Sequence, residues 1–268
     1  MLDRVGKEIL YCKECGEALE SMIPEGINFL GWDRYPRQCL CERTRIENEE
    51  RERKLREYEE TLSRNRSVCF QDKTMYNWNF DHDDGTVESM IHAKNYVEHF
   101  DEMIARHTGL LFWGDVGTGK SFMAGCIANA LLEKEYTVKM TNFSTIINDL
   151  FACEDKNEYI EALARYSLLI VDDLGAERNT EYATENVFNV IDRRYRSGKP
   201  LIVTTNLELV QLKQEEAVDR QRIYDRVLEM CVPIRVSGAS KRSSVARDRM
   251  NIFTTLGDKS TKGENANE

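Results

Sequence analysis

Eight residues near the middle of the chain, 114–121, read GDVGTGKS and have the G-x-x-x-x-G-K-[ST] spacing of a phosphate-binding loop. An apolar run at 110–113 precedes them, and residues 122–132 have the composition of a helix. In this context the backbone N–H groups of the loop and the helix N-terminus face a bound phosphate. The alternative, a solvent loop that contains Gly and Lys by chance, does not account for the flanking strand and helix. We therefore expect the chain to bind a nucleoside triphosphate.

Individual residues of this loop have distinct predicted roles. Lys120 would reach the β- and γ-phosphates, and Ser121 would offer its hydroxyl to Mg²⁺. The other predicted contacts to the nucleotide are Gly114, Gly117, Thr118, Gly119 and Phe122.

A pair of acidic residues, Asp172 and Asp173, ends a continuous apolar run that begins at residue 168. Such a run predicts a fully buried parallel strand whose carboxyl end faces the ligand. Asp172 is predicted to hold Mg²⁺, directly or through water, and Asp173 to orient and deprotonate the attacking water. A single acid at the end of a buried strand has structural explanations, whereas a pair that follows a phosphate-binding loop indicates a hydrolytic site.

Asn206 follows another apolar run, residues 201–205. An amide at the carboxyl end of a strand, beside the γ-phosphate, can hold the lytic water. The alternative is that Asn206 caps the next helix, and one residue can serve both purposes.

Two close pairs of cysteines lie near the N-terminus: Cys12 with Cys15, and Cys39 with Cys41. Four thiolates can surround Zn²⁺ tetrahedrally at about 2.3 Å, and the metal would stabilise a segment too small to bury its own core. The alternative is four unrelated reduced cysteines. The remaining cysteines are isolated among apolar neighbours and are interpreted as buried thiols: Cys69, Cys126, Cys153 and Cys231.

The elements that must position these residues form an α/β pattern, in which apolar runs alternate with helical segments. We predict a five-stranded parallel sheet flanked by helices, with strands near 110–113, 137–141, 168–173, 201–205 and 232–236. The predicted helices cover 86–107, 122–132, 144–151, the stretch before Tyr166, 180–196 and 222–230. Aromatic residues in the stretch 67–85 either pack beside the adenine or close the edge of the domain.

Residues 43–66 are nearly all charged, with opposite signs at three- and four-residue spacing, which predicts a solvated helical linker rather than a coiled coil. The predicted domains are a zinc-binding module at 1–42, this linker, an ATPase domain at 67–256 and a disordered tail at 257–268.

Composition limits the functional class of the 268-residue chain, which is 41% hydrophobic and 31% charged. The longest apolar runs fall short of the roughly 20 residues of a membrane span, and residues 1–4 do not resemble an export signal. We therefore expect a cytoplasmic protein without membrane contact, whose cysteines are reduced or bind metal. The net charge of −10 argues against a generally basic nucleic-acid binder, although a local basic strip remains compatible with it.

The motifs between residues 70 and 250 together resemble the AAA+ ATPases of the DnaC/DnaI helicase-loader group, which includes the IstB transposition ATPases. The acid-ending segment 168–175 and the triplet Thr204-Thr205-Asn206 carry the resemblance, the triplet looking like sensor 1. A GTPase and an ABC-type ATPase are disfavoured, because the chain contains no Asn/Thr-Lys-x-Asp motif for guanine and no Ser-Gly-Gly signature after the phosphate-binding loop.

The resemblance also assigns roles that spacing alone leaves open. Residues 222–228 resemble the arginine-finger helix of the group and place the finger on Arg226 among several neighbouring arginines. Residues 238–242 resemble its sensor-2 position and place that role on Arg242. The implied catalytic set is Lys120, Asp173, Asn206, Arg226 and Arg242. The four-cysteine module looks like the zinc-binding, helicase-docking domain of the DnaI branch.

The function implied by the resemblance is that of an ATP-dependent helicase loader in DNA replication. The N-terminal domain would bind a hexameric replicative helicase, and Mg²⁺-dependent ATP hydrolysis would control its assembly on single-stranded DNA. An arginine finger acting in trans implies a homo-oligomer, and the helical insert at 143–166 is the expected DNA-facing element. The alternatives are an IstB-like ATPase that assists a transposase on duplex DNA, and a nucleotide-dependent scaffold whose turnover is incidental.

Overall fold

A computed structural model of the chain describes residues 9–24, 34–81, 87–176 and 180–238. The chain divides into two compact units, Met1–Thr61 and Leu62–Glu268, and each is described here by itself. Arg242 and the predicted tail at 257–268 lie outside the described residues. The predicted domain boundaries at residues 42, 66 and 256 stay predictions.

The smaller unit begins with a tight turn and a short hairpin. The Gly16 N–H donates to the Cys12 carbonyl at 2.9 Å, and Gly16 adopts a φ of 71° that favours glycine. Strands β1 (Glu20–Met22) and β2 (Arg34–Pro36) then pair antiparallel. Arg34 and Glu20 form an ion pair at 2.9 Å across this hairpin.

A long charged helix, α1 (Leu40–Cys69), follows the hairpin and extends three residues beyond the predicted linker at each end. At its start, the Glu17 carboxylate accepts the Leu40 N–H at 2.7 Å and so satisfies one of the donors that helix N-termini leave unpaired. Its middle carries i, i+4 ion pairs such as Arg53 with Glu57 at 3.8 Å, which are exposed and therefore weak.

The larger unit is built on a five-stranded parallel sheet with the strand order β4-β5-β6-β3-β7. The strands are β3 (Gly109–Trp113), β4 (Val138–Asn142), β5 (Leu168–Leu174), β6 (Leu201–Thr205) and β7 (Cys231–Arg235). The helices are α2 (Glu88–Glu98), α3 (Phe100–Ala105), α4 (Lys120–Glu133), α5 (Phe143–Ala152), α6 (Lys156–Arg165), α7 (Glu181–Ser197), α8 (Leu209–Lys213) and α9 (Val218–Met230). The predicted fold class is confirmed.

Helices cover both faces of this sheet, so its strands are apolar on both sides. On one face, Leu110 and Ile170 pack with residues of α2, α3 and α4; on the other, Leu111 and Leu169 pack with α5, α6, α7 and α9. Adjacent strand residues therefore belong to different cores, which explains why the strands appear as unbroken apolar runs in the sequence.

The structure corrects several predicted elements. The single helix predicted for 86–107 is wrong, because the chain leaves helical geometry at His99 and forms α2 and α3 instead. Helix α9 begins at Val218, four residues before its predicted start, after Ala217 in an extended conformation. The short helix α8 and a 3₁₀ turn at Lys73–Asn77 were not predicted. Within the described residues, none of the helices has the length and apolar character needed to cross a bilayer.

At the amino ends of the strands, a fully buried arginine joins several segments. The Arg194 guanidinium of α7 donates to the carbonyls of Tyr166 at 2.8 Å, Ser167 at 3.1 Å and Ala164 at 3.2 Å. Its Nε also donates to the Pro200 carbonyl at 3.0 Å. Burial lowers the pKa of Arg194 to about 10, so the side chain is still charged at neutral pH.

Candidate nucleotide and metal sites

The phosphate-binding loop connects β3 to α4, as its spacing predicts. Gly114 adopts a φ of 132°, and a Cβ atom there would lie 2.5 Å from the Val236 carbonyl oxygen. Only glycine fits, because Val236 continues the chain beside the loop and its N–H donates to the Trp113 carbonyl at 2.8 Å. Gly119 also lies in the left-handed region and forms the N-cap of α4.

The side chain of Lys120 lies inside the curve of this loop and is 5% exposed. Its Nζ donates to the carbonyls of Gly114 at 2.8 Å and Asp115 at 2.7 Å. The Thr118 hydroxyl donates to the same Asp115 carbonyl at 2.9 Å. The loop thus holds a full positive charge where a bound phosphate would sit, next to the N-terminus of a 14-residue helix. These residues fit a nucleoside triphosphate.

Strand order brings the predicted catalytic groups to one edge of the sheet. Strand β6 lies between β3 and β5, and Thr205 is in register with Trp113 on one side and Leu174 on the other. The loop, the acid pair and Asn206 therefore lie at the carboxyl ends of three adjacent strands. This is the edge at which open α/β sheets bind their ligands.

The acid pair lies in a β-bulge, where the register between β5 and β6 shifts between Val171 and Leu174. Asp173 adopts a φ of 57°, which few residues other than glycine tolerate, and its side chain is exposed. Asp172 is half-buried. The two consecutive carboxyl groups therefore have different surroundings, as different roles require.

Thr204 of β6 is fully buried and bridges this bulge. Its Oγ1 accepts the Asp173 N–H at 3.0 Å and donates to Asp172 Oδ1. Sequence reasoning used Thr204 only as part of the sensor-1 resemblance. The sequence gives no signal for this contact, since it depends on a bulge in the neighbouring strand.

Asn206 is exposed directly after β6. The proposed capping role of Asn206 is wrong, because Glu208 is the N-cap residue of the next helix, α8. Gln211 completes that cap by accepting the Glu208 N–H at 2.8 Å. The role in holding water stays a prediction.

Arg226 lies on α9 and is bound within its own chain. A guanidinium nitrogen lies 2.6 Å from Asp192 Oδ1 of α7, and the group stacks 4.5 Å from the centre of the Phe188 ring. Arg222, one turn earlier, stacks on the same ring at 4.7 Å and is more exposed. Asp192 also pairs with Arg196 at 2.8 Å. Neither Asp192 nor Phe188 was singled out from the sequence.

The aromatic stretch before the loop packs against α4. A Cβ atom at Gly125 would lie 2.2 Å from the Trp78 ring, so the indole rests directly on the helix backbone. Trp78 also contacts the Phe122 ring at a centroid distance of 5.6 Å. The buried Asn129 amide donates to the carbonyls of Met75 and Trp78 at 2.8 and 2.9 Å. Trp78 thus packs on the domain itself, and a contact of this stretch with an adenine stays a prediction. Gly125 inside a helical pattern is the sequence signal for this close packing.

In the smaller unit, Cys12, Cys15, Cys39 and Cys41 come together, and their sulfur atoms all lie within 4.8 Å of one another. The Cys41 sulfur lies 3.3 Å from that of Cys12 and 3.1 Å from that of Cys39. The first pair is on the tight turn, and the second is at the start of α1. This set fits a structural zinc ion, for which all four positions are supplied by the protein.

Backbone donors favour the thiolate form of the first cysteine pair. N–H groups of Cys15 and Glu14 lower the pKa of Cys12, and those of Glu17 and Cys41 lower the pKa of Cys15 to about 6. The neighbouring sulfurs of Cys39 and Cys12 raise the pKa of Cys41 instead. A bound cation would counter that crowding, because it stabilises all four thiolates.

The parallel sheet, the loop after β3 and the acid pair near the end of β5 define a P-loop nucleotide-binding domain of the AAA+ class. Residues 42–248 match the profile of the IstB-like ATP binding protein family, and the chain belongs to this family.

Two curated relatives are replicative helicase loaders. DnaI of Bacillus subtilis (strain 168) is 27% identical over 164 residues, which are 56% of this chain and 52% of DnaI. DnaC of Escherichia coli (strain K12) is 30% identical over 148 residues, which are 52% of this chain and 59% of DnaC. The match thus spans little more than half the length of these relatives.

Solved structures of proteins with the same names share the fold. The crystal structure of DnaI matches with a TM-score of 0.55 at 21% identity, over 66% of this chain and 99% of that chain. The crystal structure of the DnaC helicase loader matches with a TM-score of 0.52 at 22% identity, over 62% of this chain and 100% of that chain.

Proposed function

We propose that this protein is an ATP-dependent loader of a replicative DNA helicase. The observation that supports ATP hydrolysis is the meeting of the P-loop, the acid pair and Asn206 at one edge of the sheet. The similarity to DnaI and DnaC, both named as replicative helicase loaders, supports the biological role.

In the proposed reaction, the loop N–H groups and Lys120 bind the phosphates, while Ser121 and Asp172 hold Mg²⁺. The ion would supply charge neutralisation on the β- and γ-phosphates. Asp173 orients the attacking water and accepts its proton, and Asn206 holds that water in line with the γ-phosphate. Because Asp173 is exposed beside half-buried Asp172, the base can reach water while the metal ligand stays fixed.

Arg226 is proposed to act on ATP bound by a neighbouring copy, so that hydrolysis depends on self-association. Within its own chain, Arg226 forms an ion pair with Asp192 that neutralises its charge. The Arg226 side chain is 23% exposed. Assembly would exchange this carboxylate for the γ-phosphate of the neighbour, where a guanidinium stabilises the transition state. Arg242 is proposed as the sensor-2 residue on the resemblance alone.

The four-cysteine module is proposed to bind zinc and to hold the helicase, while the larger unit contacts single-stranded DNA. Within the insert 143–166, Phe151 is 83% exposed and offers a ring on which a base can stack. Nearby acidic residues, among them Asp149 and Glu154, repel phosphate. We therefore propose a weak contact. Any phosphate contacts that cationic side chains make elsewhere on the larger unit would weaken as salt rises, because they release counterions.

Purified protein tests the enzymatic part of this proposal. Lys120→Ala should abolish ATP binding, because it removes the cation inside the loop, whereas Asp173→Asn should preserve binding and stop turnover. Lys134→Ala, at the other end of α4, is the matched control and should keep both. Equal ATP affinity in the wild type and Lys120→Ala would contradict the site assignment, and full turnover by Asp173→Asn would favour the scaffold alternative.

Capture experiments test the biological part. The full chain should retain a replicative helicase, and a variant lacking residues 1–42 should lose it while still binding ATP. The IstB-like alternative predicts instead that the chain retains a transposase. Helicase capture by the truncated variant would contradict the proposed role of the cysteine module.

A further inference from the structure

We propose that Thr204 is a positioning residue for the magnesium ligand Asp172, an inference that rests on the proposed ATPase function. Its hydroxyl accepts the Asp173 N–H and donates to Asp172 Oδ1, so one side chain of β6 contacts both residues of the acid pair. No motif assigns this role, and it goes beyond the resemblance of residues 204–206 to sensor 1.

The two hydrogen bonds of the Thr204 hydroxyl can run in only one direction. A backbone N–H can only donate, so Thr204 Oγ1 must act as the acceptor for Asp173 at 3.0 Å. The hydroxyl proton is then left to point at Asp172 Oδ1. This chain of two bonds has one direction, and it holds Asp172 Oδ1 toward the Thr204 hydroxyl.

The Thr204 hydroxyl also supports the bulged part of strand β5. The bulge between Val171 and Leu174 interrupts the regular ladder between β5 and β6. Thr204 supplies from its side chain the acceptor for the Asp173 N–H, and with its φ of 57° Asp173 depends on such support. One hydroxyl therefore stabilises the bulge and orients the carboxylate next to it.

The contact with Thr204 uses one carboxylate oxygen of Asp172 and leaves the other available for a metal ion. A carboxylate that accepts a hydrogen bond on Oδ1 keeps Oδ2 for another partner, and its orientation is fixed because Thr204 is fully buried. Hydrogen bonds to ligating side chains typically change metal affinity about 10–100-fold when they are removed. The hydroxyl should consequently affect the Mg²⁺ requirement more than the binding of the nucleotide itself.

The neighbouring residue provides a matched control. Thr205 is also fully buried on β6, and its hydroxyl donates to the Leu174 carbonyl at 2.7 Å and accepts the Leu207 N–H at 3.1 Å. Thr205→Val therefore removes a buried hydroxyl with two partners but leaves the contact to Asp172 in place.

The experiment measures two quantities on the full chain: the Mg²⁺ concentration for half-maximal ATP turnover, and the affinity for a fluorescent ADP analogue with and without Mg²⁺. Thr204→Val should raise the Mg²⁺ requirement about 10-fold or more, with Mg²⁺-free ADP affinity nearly unchanged. Thr204→Ser, which keeps the hydroxyl, should restore the wild-type requirement, and Thr205→Val should not raise it.

An unchanged Mg²⁺ requirement in Thr204→Val, or an equal increase in Thr205→Val, would overturn the inference. If Thr204→Val does not fold, Thr204→Cys provides the test, because a thiol of similar size donates only weakly; an unchanged requirement there has the same meaning. Absence of turnover in the wild type would contradict the proposed function instead. The positioning role of Thr204 would then be tested by binding alone. It predicts that Thr204→Val loses the Mg²⁺-dependent gain in ADP affinity.

Discussion

The two candidate metal sites of this protein are built in opposite ways. The cysteine cluster draws its ligands from two short stretches, and the pairs Cys12/Cys15 and Cys39/Cys41 are each close in sequence. The magnesium site proposed at the sheet edge depends on Ser121 of α4 and Asp172 of β5, which are far apart in sequence and are placed at the same end of the sheet by the order β5-β6-β3. In the first case metal binding would hold the fold together, and in the second the fold creates the site.

The comparison predicts that metal removal affects the two regions unequally, and this is the largest expected effect. Zinc binding to small cysteine modules contributes about 10–16 kcal/mol at pH 7, more than such a module gains from its core. Purified protein should contain about one zinc, and Cys41→Ser should make the N-terminal segment sensitive to protease while ATP binding is retained. Cys153→Ser, outside the cluster, is the control. A metal-free protein with a protease-resistant module would contradict the prediction.

A second prediction asks whether the sheet-edge site extends to another copy of the chain. Arg226→Ala should lower assembly-dependent hydrolysis by about 10³-fold, because an arginine finger contributes on this scale. The control is Arg196→Ala, which removes the other arginine from Asp192, at 2.8 Å, and should leave turnover intact. Turnover measured against protein concentration decides the question. Normal hydrolysis by Arg226→Ala at high concentration would move the role to a neighbour such as Arg222.

The smallest expected effect concerns the support behind the phosphate-binding loop. Gly125→Ala places a methyl group where Trp78 packs, and such overpacking typically costs about 1–3 kcal/mol. Urea unfolding should show this loss, with a change in tryptophan fluorescence. In a Trp78→Ala background the same substitution should cost much less, because the clash is gone. Equal costs in both backgrounds would show that Trp78 is not the residue displaced.

Sequence reasoning succeeded where one local pattern determines the structure. Strand β6 was predicted at its observed bounds because residues of both faces are buried, and the cysteine spacing predicted a cluster that the structure brings together. It failed where a tertiary contact determines the structure. The apolar spacing continues through His99, so the break between α2 and α3 left no mark in the sequence.

The side-chain contacts at the site could not be predicted from the sequence for the same reason. The contact of Thr204 with Asp172 requires a bulge in another strand, and that of Arg226 with Asp192 requires α7 and α9 to be adjacent. Neither partner can be inferred from sequence distance. The residue types therefore predicted which reaction the carboxyl ends of the strands could support. The contacts that position those residues had to be observed in the structure.

The buried Arg194 has a consequence for local unfolding. Its guanidinium binds carbonyls from the end of α6, the start of β5 and the residue before β6, while its backbone belongs to α7. Opening any one of these segments would remove carbonyl acceptors from the buried Arg194 guanidinium. A buried charge that lacks hydrogen-bond partners is costly in free energy. Amide hydrogens around residues 164–168, 194 and 201 should therefore exchange together with solvent as one cooperative unit, slower than those of the exposed helix α1.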